Sequence, residues 1–246
     1  MIGKIVKKLL KKNSFAGTQN EASRLTWLES TLKKIPAGNR ILDAGAGELA
    51  QKKYCAHLNY VSQDFGQYDG SGDNTGLQTA KWNNTLLDIV SDITEIPEPD
   101  KSFDAIMCIE VFEHIPDPIS AIKEFSRLLK PGGQVVITAP FCSFTHFAPY
   151  HFYTGFNRYF YEKHLTDNGF EIIEITPNGN FFEYVSQELM RIPYCAEKYA
   201  GSSISAVNKL AIMKTVLMLN KLSKKDKGSS EFSNFGLHVL AKRLPG

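Results

Sequence analysis

Apolar residues recur along the chain in two alternating patterns, short continuous runs and longer stretches with a helical period. Short apolar runs are typical of buried strands in a parallel sheet, and a period near 3.6 residues is typical of amphipathic helices. The short runs predict strands at residues 40–44, 59–63, 86–91, 103–109, 134–139, 170–176 and 236–242. The periodic stretches predict helices at residues 1–12, 21–34, 49–58, 118–129, 161–168 and 181–227, the last of them split near Pro193 and Gly201.

Strands that alternate with helices predict an α/β fold built on a parallel sheet. The last two strands, which begin at Phe170 and Gly236, are separated by the long helical stretch and can lie antiparallel to each other. Residues 66–85 are polar and rich in Gly, Asn and Asp, so they predict a loop with one short helix. A loop of this length is uncommon and suggests a functional segment or an insertion.

Composition excludes several classes of protein. With 43% hydrophobic and 22% charged residues, the chain is neither disordered nor collagen-like. Residues 1–12 hold five lysines and no acid, whereas the other 234 residues hold 23 basic and 26 acidic side chains and so carry −3. Phosphate contacts dominate affinity for nucleic acids, so no nucleic-acid partner is expected.

Four cysteines are spread along the chain without a CxxC pair or any metal-ligand spacing. This usage is typical of a reduced, cytoplasmic protein, and no metal site is predicted. We find neither a signal peptide nor an apolar stretch long enough to cross a membrane, which fits the same location.

Residues 41–48 (ILDAGAGE) join a predicted buried strand to a predicted helix through Gly45 and Gly47. Glycine lets the backbone turn tightly and approach a ligand where a side chain would collide. The N–H groups at the start of the following helix would face that ligand. A tight strand–helix turn without a ligand is the alternative interpretation.

Acidic residues accompany the ends of three neighbouring predicted strands. Asp43 belongs to the first strand, Asp64 closes the second and Asp92 closes the third. Sheets of this kind bind ligands in the crevice at the carboxyl ends of their strands, where a carboxylate can accept the hydroxyls of a ribose. Each acid alone is more often a turn or capping residue, but together they indicate a nucleoside-binding crevice.

These residues resemble the class I S-adenosylmethionine-dependent methyltransferases, in particular their small-molecule branch. Residues 41–47 are similar to the first motif of that family, Asp64 to its ribose-binding acid, and residues 92–97 (DITEIP) to its adenine-edge motif. Residues 103–118 (FDAIMCIEVFEHIPDP) and 127–133 (RLLKPGG) complete the resemblance, which covers about residues 38–180. Leu49 is a departure, because many members carry a third glycine there.

The resemblance implies a Rossmann-like seven-stranded, mostly parallel sheet with an antiparallel last strand, helices on both faces and a helical insertion before the last strand. The length and the order of predicted elements indicate one domain over residues 1–246, with N-terminal helices (1–37), a cofactor-binding core (38–180), a helical insertion or cap (181–232) and the last strand (233–246). The implied cofactor is S-adenosyl-L-methionine.

The resemblance also implies roles for single residues around that cofactor. Asp43 would orient the methionine amino group, and the backbone of Gly45 and Gly47 would line the methionine part. Asp64 would hold the ribose, Asp92 with Ile93 would frame the adenine, and Glu110 would lie beside the sulfonium. Whether Glu113 and His114, at the start of the next helix, are structural or functional stays open.

A dinucleotide site is the competing interpretation of the glycine turn. Gly45-x-Gly47-x-x-Ala50 also fits the dinucleotide fingerprint, and Asp64 lies 19 residues after Gly45, close to the acid expected there. That interpretation predicts an NAD-dependent oxidoreductase. Asp43 inside the strand, Asp92 and the antiparallel closing pair favour the methyltransferase.

Residues 141–153 (FCSFTHFAPYHFY) follow the fifth strand and should lie over the methyl end of the crevice. Methyl transfer to a hydroxyl benefits from a general base with a pKa near neutral, so His146 and His151 are the candidate bases. Tyr150, Tyr153 and Arg158 would position the substrate. Aromatic packing of a lid is the alternative role for this segment.

The sequence therefore predicts a methyltransferase that acts on a small-molecule substrate, with a hydroxyl of a sugar or related metabolite as the expected acceptor. A non-catalytic cofactor-binding or membrane-docking module is a further alternative. The basic residues 1–12 and the apolar, lysine-bearing residues 203–222 could contact an anionic membrane surface, or the second stretch could serve as a cap or a homodimer contact.

Overall fold

The computed structural model describes residues 15–245, so the helix predicted at residues 1–12 lies outside the described residues. The chain divides into two compact units. The described part of the core unit comprises Leu25–Thr176 with residues 236–245, and that of the helical unit comprises residues 15–24 with Pro177–Phe235.

A seven-stranded sheet organises the fold, with the spatial order β3-β2-β1-β4-β5-β7-β6. Its strands are β1 (Arg40–Ala44), β2 (Asn59–Asp64), β3 (Ile89–Val90), β4 (Phe103–Ile109), β5 (Leu129–Pro140), β6 (Phe170–Asn178) and β7 (Gly236–Arg243). The pairs from β3 through β5 are parallel, and β7 pairs antiparallel with β5. The predicted Rossmann-like sheet with an antiparallel last strand is confirmed.

Helices cover both faces of this sheet because successive strand residues point to opposite sides. The helices are α1 (Asn20–Leu32), α2 (Pro118–Leu128), α3 (Arg158–Asp167), α4 (Phe181–Ala200) and α5 (Ala206–Ser223). Ile41 of β1 packs in one apolar cluster with Leu28 and Leu32 of α1, whereas its neighbour Leu42 packs in the other cluster with Phe125 of α2 and Tyr161 of α3. Both clusters are buried, so the central strands are anchored from both sides.

The prediction of a helix at residues 49–58 is wrong. That segment forms turns and one short 3-10 helix, Lys52–Tyr54. Leu49 adopts a left-handed backbone with φ +60°, which a helix cannot contain. The glycine turn is therefore not followed by the helix N-terminus that the sequence predicted.

The third strand and the loop before it also differ from prediction. Only Ile89–Val90 of the predicted residues 86–91 pairs with β2, and residues 66–85 contain turns and bends but no helix. Leu86 is 70% exposed, so the apolar run that begins there does not form a buried strand over its whole length.

The helical unit contains α4 and α5, which pack on each other. The split predicted near Pro193 is wrong, because α4 continues through Pro193 to Ala200. The split predicted near Gly201 is confirmed: Gly201, with φ +56°, caps α4, and α5 begins at Ala206. Inside a helix a proline removes one backbone hydrogen bond, and α4 tolerates that loss. Among the described residues we find no helix that is both long and apolar enough to span a membrane.

Candidate active site

The turn after β1 needs its two glycines for lack of space as well as for backbone conformation. Gly45 and Gly47 have φ values of +79° and +50°. A Cβ atom at Gly45 would lie 2.5 Å from the Val111 side chain, and one at Gly47 would lie 2.5 Å from the ring of Trp82. Distances this short are repulsive, so any larger residue would displace these neighbours.

Asp64, at the end of β2, holds this turn through backbone N–H groups. Its Oδ2 accepts a hydrogen bond from Gly47 N at 3.0 Å, and its Oδ1 accepts one from Gly66 N at 2.9 Å. Each carboxylate oxygen can accept more than one hydrogen bond, so Asp64 keeps acceptor capacity for a ribose. The predicted Asp64 and Gly47 are therefore in direct contact.

Asp43 lies one residue before the end of β1 and is only 1% exposed. Tyr60 on the neighbouring strand donates its hydroxyl to Asp43 Oδ2 at 2.6 Å. Burial raises the pKa of Asp43 to about 7, the Tyr60 hydrogen bond opposes that rise, and the charge of Asp64 adds to it. Near neutral pH this carboxyl therefore titrates.

Asp92 and Ile93 lie two and three residues beyond the end of β3. Asp92 Oδ1 accepts hydrogen bonds from the backbone N–H and the hydroxyl of Thr94, at 2.8 and 2.7 Å, while Ile93 is buried. This turn presents a carboxylate beside an apolar side chain, the pairing expected at the edge of a purine.

Glu110 follows β4 with φ +56°. A left-handed conformation is unfavourable for a residue with a side chain and is often retained at functional sites. Its N–H donates to Thr138 O on β5 at 2.8 Å, which fixes the chain at the strand end. Glu110 therefore lies at the carboxyl edge of the sheet, as predicted.

A buried carboxylate and two histidines form a polar cluster in the core unit. Glu113, 1% exposed, lies in a short 3-10 helix (Phe112–His114) before α2, not at the start of α2 as predicted. Its Oε1 is 3.7 Å from Nε2 of His114 and 3.7 Å from Nε2 of His146. Its Oε2 has no hydrogen-bond partner among the described residues.

Backbone carbonyls fix the orientation of both rings. His114 Nδ1 lies 2.5 Å from Tyr150 O, and His146 Nδ1 lies 2.8 Å from Phe144 O. A carbonyl can only accept, so both Nδ1 atoms must carry a proton. Nε2 of each ring is therefore the nitrogen that can take up or release a proton, and it is also the nitrogen that lies near Glu113.

His151 joins this cluster, with its ring centroid 4.8 Å from that of His146. Burial lowers the pKa of His151, and the charge of His146 lowers it further. For His114 burial, and then the charge of His146, lower the pKa to about 3. Burial also lowers the pKa of His146, but the contacts with Glu113 and the Phe144 carbonyl outweigh it, so that pKa lies above its ordinary value.

Aromatic rings connect the glycine turn to the histidine cluster. Trp82 lies against Gly47 and meets Phe147 with 5.6 Å between ring centroids. Phe147 in turn stacks on His114 at 5.1 Å and meets His146 at 5.2 Å. The predicted cofactor turn and the predicted bases therefore belong to one continuous site.

The loop of residues 66–85 is fixed to this site by backbone pairing. Leu77 N donates to Thr145 O at 3.1 Å, and Phe147 N donates to Leu77 O at 2.9 Å. The isolated bridge between Leu77 and His146 is parallel. The loop thus supplies Trp82 to the glycine turn and supports the segment that carries His146.

Several site residues were not singled out from the sequence. Tyr60, Trp82 and Phe147 carry no motif, and their roles appear only once the chain is folded. The sequence does name Glu113, three residues after Glu110 and next to His114, but it does not decide between a structural and a functional role.

Glu113, His114 and His146 also have the chemistry of a cation site. One ligand atom from each of the three lies within 4.8 Å of the others. Carboxylate and imidazole are common ligands of divalent transition metals. The sequence predicted no metal, and that expectation stays untested.

Comparison with known proteins identifies the family. A family model described as a methyltransferase domain matches residues 18–199. The chain belongs to this family. The predicted resemblance to class I S-adenosylmethionine-dependent methyltransferases is therefore confirmed, and S-adenosyl-L-methionine is the cofactor of the family.

Two relatives are O-methyltransferases. The chain is 32% identical over 121 residues to a ubiquinone biosynthesis O-methyltransferase of Ralstonia nicotianae, covering 46% of this chain and 47% of the relative. It is 28% identical over 127 residues to the 27-O-demethylrifamycin SV methyltransferase of Amycolatopsis mediterranei, covering 50% and 46%. The chain thus spans about half the length of the curated relatives it matches.

A solved structure shares the fold. The [4+2]-cyclase SpnF aligns with 96% of this chain and 86% of its own, at 19% identity and a TM-score of 0.56. A fold can host unrelated reactions, and a cyclase with this fold is an instance. The reaction of this chain must therefore be argued from its site.

Proposed function

We propose that this chain transfers a methyl group from S-adenosylmethionine to a hydroxyl of a small molecule, a sugar or related metabolite. The observation that carries the proposal is the joining of the glycine turn to the Glu113–His146–His151 cluster through Trp82 and Phe147. The two O-methyltransferase relatives support transfer to oxygen.

The residues of the site fit this cofactor in the chemistry that they offer. Asp43 supplies a carboxylate for an ammonium group, and Asp64 supplies acceptors for a ribose diol. Asp92 can accept from an exocyclic amine while Ile93 offers an apolar surface. The backbone of Gly45 and Gly47, together with Glu110, would line the methionine and sulfonium part.

When bound, the cofactor supplies an electrophilic methyl carbon. Nε2 of His146, or His151, would take up the proton of the acceptor hydroxyl and so make its oxygen a better nucleophile. Tyr150, Tyr153 and Arg158 would hold the acceptor, because alignment of the reacting atoms supplies much of the rate.

A dinucleotide function has less support. The pyrophosphate of a dinucleotide rests on a helix N-terminus after the glycine turn. Here turns and the 3-10 helix Lys52–Tyr54 follow Gly47, and Asp64 accepts the Gly47 N–H. An oxidoreductase therefore lacks the element that it would need.

The decisive experiment combines cofactor binding with methyl transfer. Calorimetric titration should detect heat of binding with S-adenosylmethionine and none with NAD. Incubation with cofactor labelled in its methyl group should label a hydroxyl acceptor from a panel of sugars and phenols, but no amine. Binding of the cofactor without transfer to any acceptor would favour the non-catalytic module.

Variants of the two histidines test the proposed bases. We expect the alanine variant of the histidine that is the base, His146→Ala or His151→Ala, to lower kcat by about 100-fold to 10,000-fold, the range of general-base catalysis, and to leave the Kd of the cofactor unchanged. Unchanged turnover in both variants would rule out a histidine base. Turnover lost in a chelator and restored by a divalent metal would assign the cluster to a cation.

A cytoplasmic location, a homodimer and a single-domain organisation with the boundaries given above stay predictions.

A further inference from the structure

Helix α5 exposes a row of large apolar side chains. Val207, Leu210, Leu217, Met218 and Leu222 are 76%, 53%, 41%, 52% and 39% exposed. At 100° per residue these five positions fall on one side of the helix. We call this row the outer stripe.

The opposite side of α5 is already used for packing. Val216 and Leu219, the two buried residues of the helix, point away from the outer stripe. A helix that is apolar around most of its circumference is normally buried on all sides, but in α5 only the side of Val216 and Leu219 is buried. The outer stripe is therefore a second apolar surface that packing within the helical unit does not explain.

Positive charge accompanies the outer stripe. Lys214 and Lys221 lie on the same side of α5, and the exposed Lys224, Lys225 and Lys227 follow its end. Asp226 is the single acidic residue between residues 206 and 227. Adsorption to an anionic lipid surface is favoured by buried apolar area and by the attraction of basic side chains to the lipids, and this side of α5 offers both.

We infer that the outer stripe docks the protein on an anionic lipid membrane surface. The apolar side chains would enter the boundary between headgroups and acyl chains. Lys214 and Lys221 would extend their ammonium groups to the lipid phosphates, because lysine can bury its stem while its charge stays in the polar layer. The basic residues beyond the helix would meet the same negative surface.

The positive charge beside the outer stripe also argues against two other partners for it, a second copy of the chain and residues 1–12. In a symmetric pair of copies the same surface faces itself, so the lysines of one copy would oppose those of the other. Residues 1–12 carry five lysines and no acid, and like charge opposes their seating on this stripe. An anionic bilayer is the occupant that matches both the apolar and the charged part.

The test uses the full chain and flotation with vesicles. We expect binding to vesicles of phosphatidylcholine with phosphatidylglycerol and much weaker binding to phosphatidylcholine alone. Leu217→Gln/Met218→Gln and Lys214→Glu/Lys221→Glu should each weaken the partition onto anionic vesicles by about tenfold or more. Ile173→Gln and Lys163→Glu, changes at exposed positions of the core unit, should bind as the unaltered protein does.

Circular dichroism before flotation keeps unfolded variants out of the comparison. Absence of binding to anionic vesicles, or equal binding by all variants, would overturn the inference. Binding that is lost when residues 1–12 are deleted but kept in both stripe variants would overturn it too, by placing the contact at the N-terminus. A dimer in solution that Leu217→Gln/Met218→Gln dissociates would assign the stripe to a second copy.

Discussion

His146 and His151 lie side by side, yet their surroundings shift their pKa values in opposite directions. The Glu113 carboxylate holds the pKa of His146 above its ordinary value, while burial and the charge of His146 hold the pKa of His151 below it. A general base must be unprotonated. The ordinary pKa of about 6.5 for histidine therefore separates the two candidates.

The dependence of kcat on pH should reveal which histidine is the base. The profile of kcat against pH has a rising limb, whose midpoint is the apparent pKa of the base. If His146 is the base, this midpoint lies above about pH 6.5, and if His151 is the base, it lies below about pH 6.5. Because of its contact with Glu113 we expect the higher limb. Measurement over pH 5–9 with saturating cofactor checks this, and His151→Ala should leave the position of the limb in place.

Glu113 is a positioning residue in this scheme. Glu113→Gln keeps the size of the side chain but removes its charge, so we expect the pKa of His146 to fall and the limb of kcat to move to lower pH. A purely structural role would lower kcat without moving the limb. Nuclear magnetic resonance titration of the His146 ring gives an independent measurement of the same shift.

Asp43 makes a prediction for stability. Its pKa is about 7 in the folded protein, against about 3.9 in an unfolded chain. The folded state therefore holds a proton that the unfolded state releases, and this contribution is complete below about pH 4 and lost as pH rises to about 7. The loss is on the order of 4 kcal/mol of the free energy of unfolding.

Urea unfolding between pH 4 and 8 checks this contribution. Asp43→Asn removes the titrating group in the same volume, so the free energy of unfolding should fall less with rising pH in the variant. The difference between the two proteins isolates Asp43 from the histidines that titrate in the same range. Equal slopes would mean that Asp43 is ionised throughout.

At the scale of the element, predictions held where the sequence pattern and the tertiary packing agree. The bounds of β1 and β4 match the prediction because both are short, mostly apolar runs with polar residues or glycine on either side. The helix at residues 49–58 failed since a left-handed residue, Leu49, has no sequence signature of its own. The resemblance had already marked Leu49 as a departure, and there the local structure does differ.

The residues of the candidate site also divide into those that the sequence predicts and those that only the fold brings together. Acids and glycines at strand ends could be predicted because strand polarity places them at one edge of the sheet. The pairing of Glu113 with His146 could not, because residues 33 positions apart in sequence meet only through the fold. Trp82 reaches Gly47 from a loop whose polar sequence gives no sign of an ordered partner.

The loop of residues 66–85 depends on close packing at Gly72. With φ +50° at Gly72, a Cβ atom would collide with the carbonyl oxygen of Ala148. We expect Gly72→Ala to release the loop from the segment that carries His146. Limited proteolysis should then cut within residues 66–85, and turnover should fall.

Gly201 offers a matched control for this variant. Its φ is +56°, but nothing lies within 4 Å of a Cβ added there. Gly201→Ala should therefore cost only the left-handed conformation, about 1–2 kcal/mol, and a few degrees in Tm. Gly72→Ala should lower Tm by more than this, and an equal effect in both variants would contradict tight packing of the loop.

For the whole molecule, binding of the family's cofactor should be visible as thermal stability. A ligand that binds only the folded state stabilises it by about 2.7 kcal/mol at a concentration of 100 Kd. For a chain of this size that corresponds to a rise in Tm of about 5–11 °C. Differential scanning calorimetry with S-adenosylmethionine checks the value.

The same calorimetric scan distinguishes a site that is specific for S-adenosylmethionine from a site that binds any adenine nucleotide. Adenine and ribose are common to S-adenosylmethionine and NAD, so Asp64 and Asp92 alone would let both stabilise the protein. Asp43 and the glycine turn are matched to an amino-acid end that NAD lacks. We therefore expect no rise in Tm with NAD and a smaller rise with S-adenosylmethionine in Asp43→Asn. A rise with NAD equal to that with S-adenosylmethionine would mean that the crevice recognises the nucleoside alone.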